Sequence, residues 1–193
     1  VLPTALASLL GGATAMADVV TDWNVTANEV VASLPPPPAN RTLAMVQTAV
    51  YEAVNAITKR YPADRVTPNA APDASVAAAV AAANRAMLSR LVPSQQAAID
   101  KSYGAALAAI ADGPAKTAGI AVGEQAAAAV LAWRADDNAS APERYRPATT
   151  AGVYVPTPIP AVPQWSQRKP WVMTSSDQFR PGPPPALTSE LWA

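Results

Sequence analysis

The chain has 193 residues, with 14 basic and 14 acidic side chains and neither histidine nor cysteine. Without cysteine, the sequence excludes disulfides, thiolate metal sites and cysteine nucleophiles. Without histidine, it lacks the commonest general base and the commonest transition-metal ligand, so we expect no zinc or haem site. The zero net charge provides no general attraction to nucleic acid, and we expect no nucleic-acid partner.

Half of the residues are apolar, but only 6% are aromatic, and alanine supplies much of the apolar half. Alanine has the highest helix propensity of all residues and allows close packing of helices. The composition therefore predicts an all-α fold, an antiparallel bundle of about five helices followed by a Pro-rich irregular tail.

Residues 1–17 contain no charged side chain and end in Ala15-Met16-Ala17. An apolar stretch followed by an A-x-A pattern is typical of a secretory signal peptide. We therefore predict a signal-peptide remnant at 1–17 and a bacterial protein exported to the periplasm or the medium. A buried N-terminal helix is the alternative interpretation. A membrane span is not expected, because spanning needs about 20 consecutive apolar residues.

Residues 18–137 predict the helical bundle. We expect the first helix to begin at an N-cap at Thr21 or Asp22 and to end at Leu34, where the run Pro35 to Pro38 stops it. The second helix is expected to start after those prolines and to end near Lys59.

Asp73 is the predicted N-cap of the third helix, and Pro93-Ser94 separates that helix from the fourth. Asp112-Gly113-Pro114 then separates the fourth helix from the fifth. In the fifth helix, small residues recur at four-residue spacing at Gly119, Gly123 and Ala127. This ridge predicts close contact with a neighbouring helix.

Residues 138–193 differ in composition, because they hold eleven of the chain's 21 prolines, with aromatic side chains such as Trp165, Trp171 and Phe179 scattered among them. Such a segment cannot form a regular helix or a central strand. We expect an extended linker that crosses the helical body and leads to a C-terminal catalytic half beyond residue 193.

Three groups of side chains offer chemistry, each with a plain structural alternative. Glu52, Asn55 and Lys59 lie at helical spacing, so Glu52 could act as an acid, a base or a hard-cation ligand. The structural alternative is a polar helix edge with a buried asparagine bonded to a neighbouring loop.

Asp136-Asp137-Asn138 offers oxygen ligands for a hard cation such as calcium, or simply a helix end and turn. Cations in the tail could collect an oxyanion, or could be solvated or paired with tail carboxylates. These cations are Arg144, Arg146, Arg168, Lys169 and Arg180.

Several sequence strings occur in a recognisable order. They are Asp22-Trp23-Asn24, Pro35 to Arg41 (PPPPANR), Ala44 to Ile57 (AMVQTAVYEAVNAI), Gly119 to Gly123 (GIAVG), Ala132 to Asp137 (AWRADD) and Gln178 to Leu187 (QFRPGPPPAL). Together they resemble the N-terminal half of bacterial vanadium-dependent haloperoxidase-like proteins, which belong to the type-2 phosphatidic acid phosphatase superfamily. The resemblance covers nearly all of residues 18 to 193.

The resemblance implies an all-helical fold and a parent enzyme that holds vanadate or phosphate. Vanadate-loaded members of the family oxidise halide with hydrogen peroxide, and the phosphatase members form a phospho-histidine. The family signature has a lysine, six residues and Arg-Pro, then Pro-Ser-Gly-His, and then an arginine with a second histidine. This chain has no Ser-Gly pair and no histidine, and Ala139 and Met173 stand at the lysine position before its two Arg-Pro pairs.

We therefore assign no catalytic, cofactor-binding or metal-binding residue to this chain. The expected function is the structural N-terminal half of an exported haloperoxidase-like or acid-phosphatase-like enzyme, inactive alone, whose partner is the C-terminal catalytic half. Vanadate is expected only in the parent, if it is a haloperoxidase. A lone half would leave apolar helix faces uncovered, which favours self-association. The alternative is a self-sufficient exported helical module that binds a partner.

Overall fold

The computed structural model describes residues 18–63 and 65–191, and the predicted signal peptide at 1–17 lies outside them. Within the described residues the fold is all-α, a bundle of five helices without strands. The helices are α1 (Val19–Val31), α2 (Pro36–Thr58), α3 (Val76–Leu91), α4 (Gln96–Ala108) and α5 (Pro114–Trp133), with short 3₁₀ turns at Pro93–Gln95 and Pro163–Gln167.

The first helix begins earlier than predicted, and its N-cap is Asp18 in place of Thr21 or Asp22. The Asp18 carboxylate accepts a hydrogen bond from the Thr21 backbone N–H at 2.9 Å, which satisfies one of the unpaired donors of the first turn. The same bond lowers the pKa of Asp18. The helix ends at Val31, before the predicted Leu34.

The start of α2 also differs from the prediction, because the proline run forms part of the helix. Pro35 is the N-cap, and Pro36 is the first helical residue. A proline is compatible with the first turn since the backbone N–H that it lacks has no partner there in any case. The C-terminal cap is Lys59, in the left-handed conformation with φ of 50°.

Helix α3 is the centre of the bundle. Its N-cap is Ser75, whose Oγ accepts from the Ala78 N–H at 3.2 Å, so the prediction of Asp73 is wrong by two residues. Every residue from Ala78 to Asn84 is buried, because small alanine side chains let α1, α2, α4 and α5 all pack against the same helix.

The predicted ridge on α5 packs against α3 at very short range. A Cβ atom added to Gly119 would lie 2.3 Å from the Ser75 carbonyl oxygen, and one added to Gly123 would lie 2.3 Å from the Ala79 oxygen. The matching order of these contacts shows that α3 and α5 run parallel. Helix α4 connects these two helices in sequence.

The tail after α5 has no α-helix among its described residues, and the 3₁₀ turn at Pro163–Gln167 is its only helical element. Trp171 packs against the helical core, whereas Ile159 and Phe179 are 95% and 78% exposed. No helix in the described part of the chain is long and apolar enough to cross a membrane.

Replacing Gly123 with alanine should destabilise the protein by about 1–3 kcal/mol, since the new methyl group overlaps backbone atoms that cannot move aside. The control is Gly104→Ala in α4, where nothing lies within 4 Å of the added Cβ. That change should stabilise the helix by up to about 1 kcal/mol. Urea unfolding followed by circular dichroism measures both effects, and equal effects of the two substitutions would contradict the close α3–α5 packing.

Candidate functional site

The end of α5, the start of α2 and the Pro-rich tail meet at one buried carboxylate, that of Asp137. Its side chain is fully buried, although it lies four residues beyond the end of α5. We call this meeting point the junction and define it by Arg41, Arg134, Asp137 and Arg168.

Two arginines from the helical body bind the same oxygen of Asp137. Arg41 on α2 donates from Nε to Oδ2 at 2.7 Å. Arg134, the C-cap of α5, donates to Oδ2 from Nη2 at 3.1 Å and from Nε at 3.3 Å. The other oxygen, Oδ1, accepts from the Ala139 backbone N–H at 3.0 Å.

These contacts control the ionisation of Asp137. Burial alone would raise its pKa, because a charged group is less stable away from water. The hydrogen bond and positive charge of Arg41, followed by the charge and hydrogen bonds of Arg134, outweigh burial and hold the pKa below its ordinary value. Asp137 is therefore an anion in the folded protein at neutral pH.

Arg134 joins the helical body to the tail. Its Nη2 donates to the Lys169 carbonyl oxygen at 2.6 Å, and its Nη1 donates to the Pro170 oxygen at 3.2 Å. Its guanidinium also lies 4.5 Å from the ring centroid of Trp171 and 5.0 Å from that of Trp133. The two indole rings meet edge to face at 5.0 Å, so this arginine is held by charge, carbonyl oxygens and aromatic faces together.

The turn that follows Asp137 brings the tail back to the helices. Asn138 has a positive φ of 61°, a conformation that asparagine tolerates better than most residues. Its Nδ2 donates to the Gln167 carbonyl at 2.7 Å. Arg168 donates from Nη2 to the Ala139 carbonyl at 2.9 Å, and its guanidinium lies over the Trp165 ring at 4.5 Å.

A cavity of about 490 Å³ opens at the junction. All three junction arginines line it, together with Trp165, Trp171 and Met173, among other residues. Three guanidinium groups face one carboxylate there, which leaves two positive charges without a counter-charge at the junction. Lys169, which also lines the cavity, is paired with Asp136 at 3.0 Å.

The structure favours the helix-end interpretation of Asp136-Asp137-Asn138. The Asp137 carboxylate is surrounded by guanidinium groups, which would repel a cation, and Asn138 and Asp136 bond to the tail instead. Among the described residues, no group of three or more acidic, histidine or cysteine side chains could hold a metal ion.

The five tail cations separate into different environments. Arg168 joins the junction at 3.6 Å from Asp137 Oδ1, and Lys169 pairs with Asp136. Arg146 forms an exposed pair with Glu143 at 3.3 Å. Arg144 and Arg180 are exposed. The ion-pair interpretation thus fits Lys169 and Arg146.

The polar side chains of α2 fit the structural alternative, a helix edge with a buried asparagine that bonds to a neighbouring loop. Asn55 donates to the Tyr61 carbonyl at 3.1 Å and accepts from the Tyr61 N–H at 2.9 Å, which fixes the loop after the helix. Glu52 is buried and accepts from the Arg65 backbone N–H at 3.5 Å. Lys59 is exposed and caps the helix.

Sequence reasoning did not identify Arg41 or Arg134 as partners of Asp137, although both occur in the strings that carry the family resemblance. Arg41 lies 96 residues before Asp137. A local signal was available for Arg134 alone, since a cation three residues before an aspartate at a helix end favours an ion pair.

No protein-family model matched the chain, and comparison with curated proteins and with solved structures gave no match either.

Replacing Asp137 with asparagine should destabilise the protein by about 3–5 kcal/mol, because Arg41 and the buried Arg134 would lose the carboxylate that neutralises them. Thermal unfolding measures the loss. The control is Asp136→Asn, whose carboxylate is 75% exposed and paired only with Lys169. That substitution should change stability by less than about 0.5 kcal/mol. Comparable losses in the two variants would contradict the central role of Asp137.

The contribution of Asp137 should also depend on pH. Its pKa is lower in the folded state than in the unfolded chain, so its stabilisation is fully present above the unfolded value, ordinarily about 3.9. The stabilisation is lost as pH falls through the folded-state pKa. The difference in unfolding free energy between wild type and Asp137→Asn should be constant from pH 7 to about 5 and shrink in stronger acid. A difference that grew on acidification would contradict this assignment.

Proposed function

We propose that this chain is the structural, non-catalytic half of an exported enzyme of the vanadium haloperoxidase-like and acid-phosphatase-like kind. In this role the helical bundle supports a catalytic half of the same protein, and the Pro-rich tail runs between the two. The proposal rests on the sequence resemblance and on one structural observation, the exposed apolar side chains of a tail that is fixed at the junction.

The exposed apolar side chains lie on both sides, in sequence, of the contacts that fix the tail. Ile159 is 95% exposed, Val172 is 87% exposed and Phe179 is 78% exposed. Exposed apolar surface of this kind indicates a contact with another polypeptide, because its burial removes apolar area from water. The junction holds residues 168–170 against the helical body, so these side chains are presented from an anchored segment.

The amino-acid composition favours a supporting role over a catalytic one. The chemistry expected for the family needs histidine as ligand, nucleophile or acid, and this chain has none. Arg134, the most buried arginine of the junction, is bound to Asp137 and to a backbone carbonyl, which suits a structural role. A catalytic half would therefore have to supply the histidines and its own oxyanion-binding lysine and arginines.

The decisive experiment compares the isolated chain with the product of the source gene read through past codon 193. Vanadate-dependent bromide oxidation and phosphomonoester hydrolysis are assayed on both proteins. We expect no activity from the isolated chain, and activity from a continued chain that carries Lys-x6-Arg-Pro, Ser-Gly-His and the second histidine. Activity of the isolated chain would overturn the proposal, and a stop codon at this point would favour a self-sufficient binding module.

A second measurement tests the tail surface directly. With the two halves expressed as separate polypeptides, Phe179→Ser and Ile159→Ser should weaken their association by about tenfold or more, as expected for loss of a buried large side chain. Val25→Ser is the control, because Val25 is 56% exposed on α1 and lies outside the tail. Equal affinity for all three variants would contradict the role of the tail.

A further inference from the structure

Arg168 has more hydrogen-bonding capacity than its surroundings satisfy. Its Nη2 is bonded to the Ala139 carbonyl. Its Nε and Nη1 are buried and have no hydrogen-bond partner among the described residues, and Nη1 lies 3.6 Å from Asp137 Oδ1. A buried donor without an acceptor costs about 1–3 kcal/mol, more for a charged group, so an acceptor at this place would stabilise the folded chain.

The carboxylate of Asp137 accepts its hydrogen bonds from groups other than Arg168. Its Oδ2 already accepts from Arg41 and twice from Arg134, and its Oδ1 accepts from the Ala139 N–H. The arginine nearest to the remaining oxygen adds charge at the junction but no hydrogen bond to the carboxylate. Arg41 and Arg134 are therefore sufficient to neutralise the buried aspartate. The presence of Arg168 needs another explanation.

The surplus charge lies in a partly buried place. The side chains of Arg41 and Arg168 are 16% and 15% exposed, and that of Arg134 is 2% exposed. Burial lowers the pKa of Arg168; the Asp137 charge opposes this effect, and the charges of Arg41 and Arg134 add to it. The direction of this shift agrees with a site that has too few negative charges.

We propose that the junction cavity binds a small tetrahedral oxyanion, a phosphate or sulfate group, between Arg41 and Arg168. Arg41 and Arg168 both line the cavity. Their guanidinium groups would offer several N–H donors to such a group, and a dianion would balance the two unmatched positive charges. Within the described part of the chain, Arg41 bonds Asp137 through Nε alone, so its two terminal nitrogens would be the donors to the anion. The site lies wholly within this chain and is independent of the proposed catalytic half.

The cavity is larger than one inorganic anion requires. Trp165, Trp171 and Met173 line it beside the arginines, and these side chains would contact an apolar group attached to the oxyanion. The shared chemistry is the tetrahedral oxyanion, whether it is free or carried by an organic monoester. Binding of inorganic phosphate, inorganic sulfate and phenyl phosphate distinguishes these sources.

The test uses the wild-type chain and isothermal titration with each of the three anions at constant ionic strength in chloride. We expect saturable binding with one site per chain, and a rise in unfolding temperature that follows the ligand concentration as mass action requires. Tighter binding of phenyl phosphate than of phosphate would identify an organic monoester, and equal affinities would identify the free anion. No saturable binding of any of the three would overturn the proposal.

Substitutions of the two arginines test whether they bind the anion. Arg168→Gln and Arg41→Gln should each weaken binding by about tenfold or more, the effect of losing charge-assisted hydrogen bonds. Arg85→Gln is the matched control, since it removes the same charge from an exposed pair with Asp100, and Arg85 does not line the cavity. Undiminished affinity in both junction variants would overturn the proposal.

Measuring the unfolding temperature of each variant without the anion distinguishes a structural role of Arg168 from a role in anion binding. If Arg168 binds an anion, Arg168→Gln should lose the increment in unfolding temperature that phosphate adds to wild type, beyond any loss that its contacts with Ala139 and Trp165 cause in chloride. Arg168→Lys, which keeps the charge but not the fork, should retain a smaller increment. An equal loss of stability in chloride and in phosphate would show that Arg168 is purely structural and would overturn the proposal.

Discussion

The ionised carboxylate of Asp137 is the constraint on which the arrangement of the tail depends. A charge can be fully buried only when hydrogen bonds and opposite charges replace its lost hydration. At this position they come from three separate parts of the chain, α2, the end of α5 and the turn that follows it. Because Arg134 also donates to the carbonyls of Lys169 and Pro170, the group that neutralises Asp137 also fixes the tail. A proline-rich segment without regular secondary structure is thereby held in one place on the helical body.

The helical body rests on a different principle, the close approach of small side chains. Its core consists mostly of alanine and valine, and only a few large side chains such as Met45, Met87 and Ile99 are fully buried. With little area per side chain, the stability gained from each contact is small, so many contacts at short range are needed. The glycines of α5 allow its backbone to meet α3 directly, and α3 is covered on several sides by other helices.

Local features of the sequence predicted the local structure well. Five helices, the separators at Pro93 and Gly113 and the packing ridge on α5 all follow from propensity, capping and spacing within a few residues. The errors lie where two local signals compete. Asp73 and Ser75 are both good N-caps, and only the packing of α3 against α5 selects Ser75, whose backbone N–H bonds to the Ala115 carbonyl. The proline run was read as a stop, although proline is equally suited to open a helix.

The junction could not be predicted in the same way, because its partners are far apart in sequence. Arg41 and Asp137 are separated by 96 residues, and Arg168 reaches them from an irregular segment whose path no periodicity determines. The aspartates themselves were identified from their sequence, but with a cation as one interpretation of their role. Only the convergence of guanidinium groups shows that the local charge is positive, so that an anion and not a metal ion suits the cavity.

Stability alone does not account for three arginines at one aspartate. Replacing a buried ion pair by well-packed apolar residues is often neutral or stabilising, and Trp133 and Trp171 already supply an apolar contact between body and tail. Arg134 by itself already bonds both Asp137 and the tail carbonyls. The second and third add repulsion between like charges and, in Arg168, two buried donors without acceptors. That excess becomes favourable only when a further negative charge is present, which is why the junction, and not the better-packed helical core, is the part of this chain where binding is to be sought.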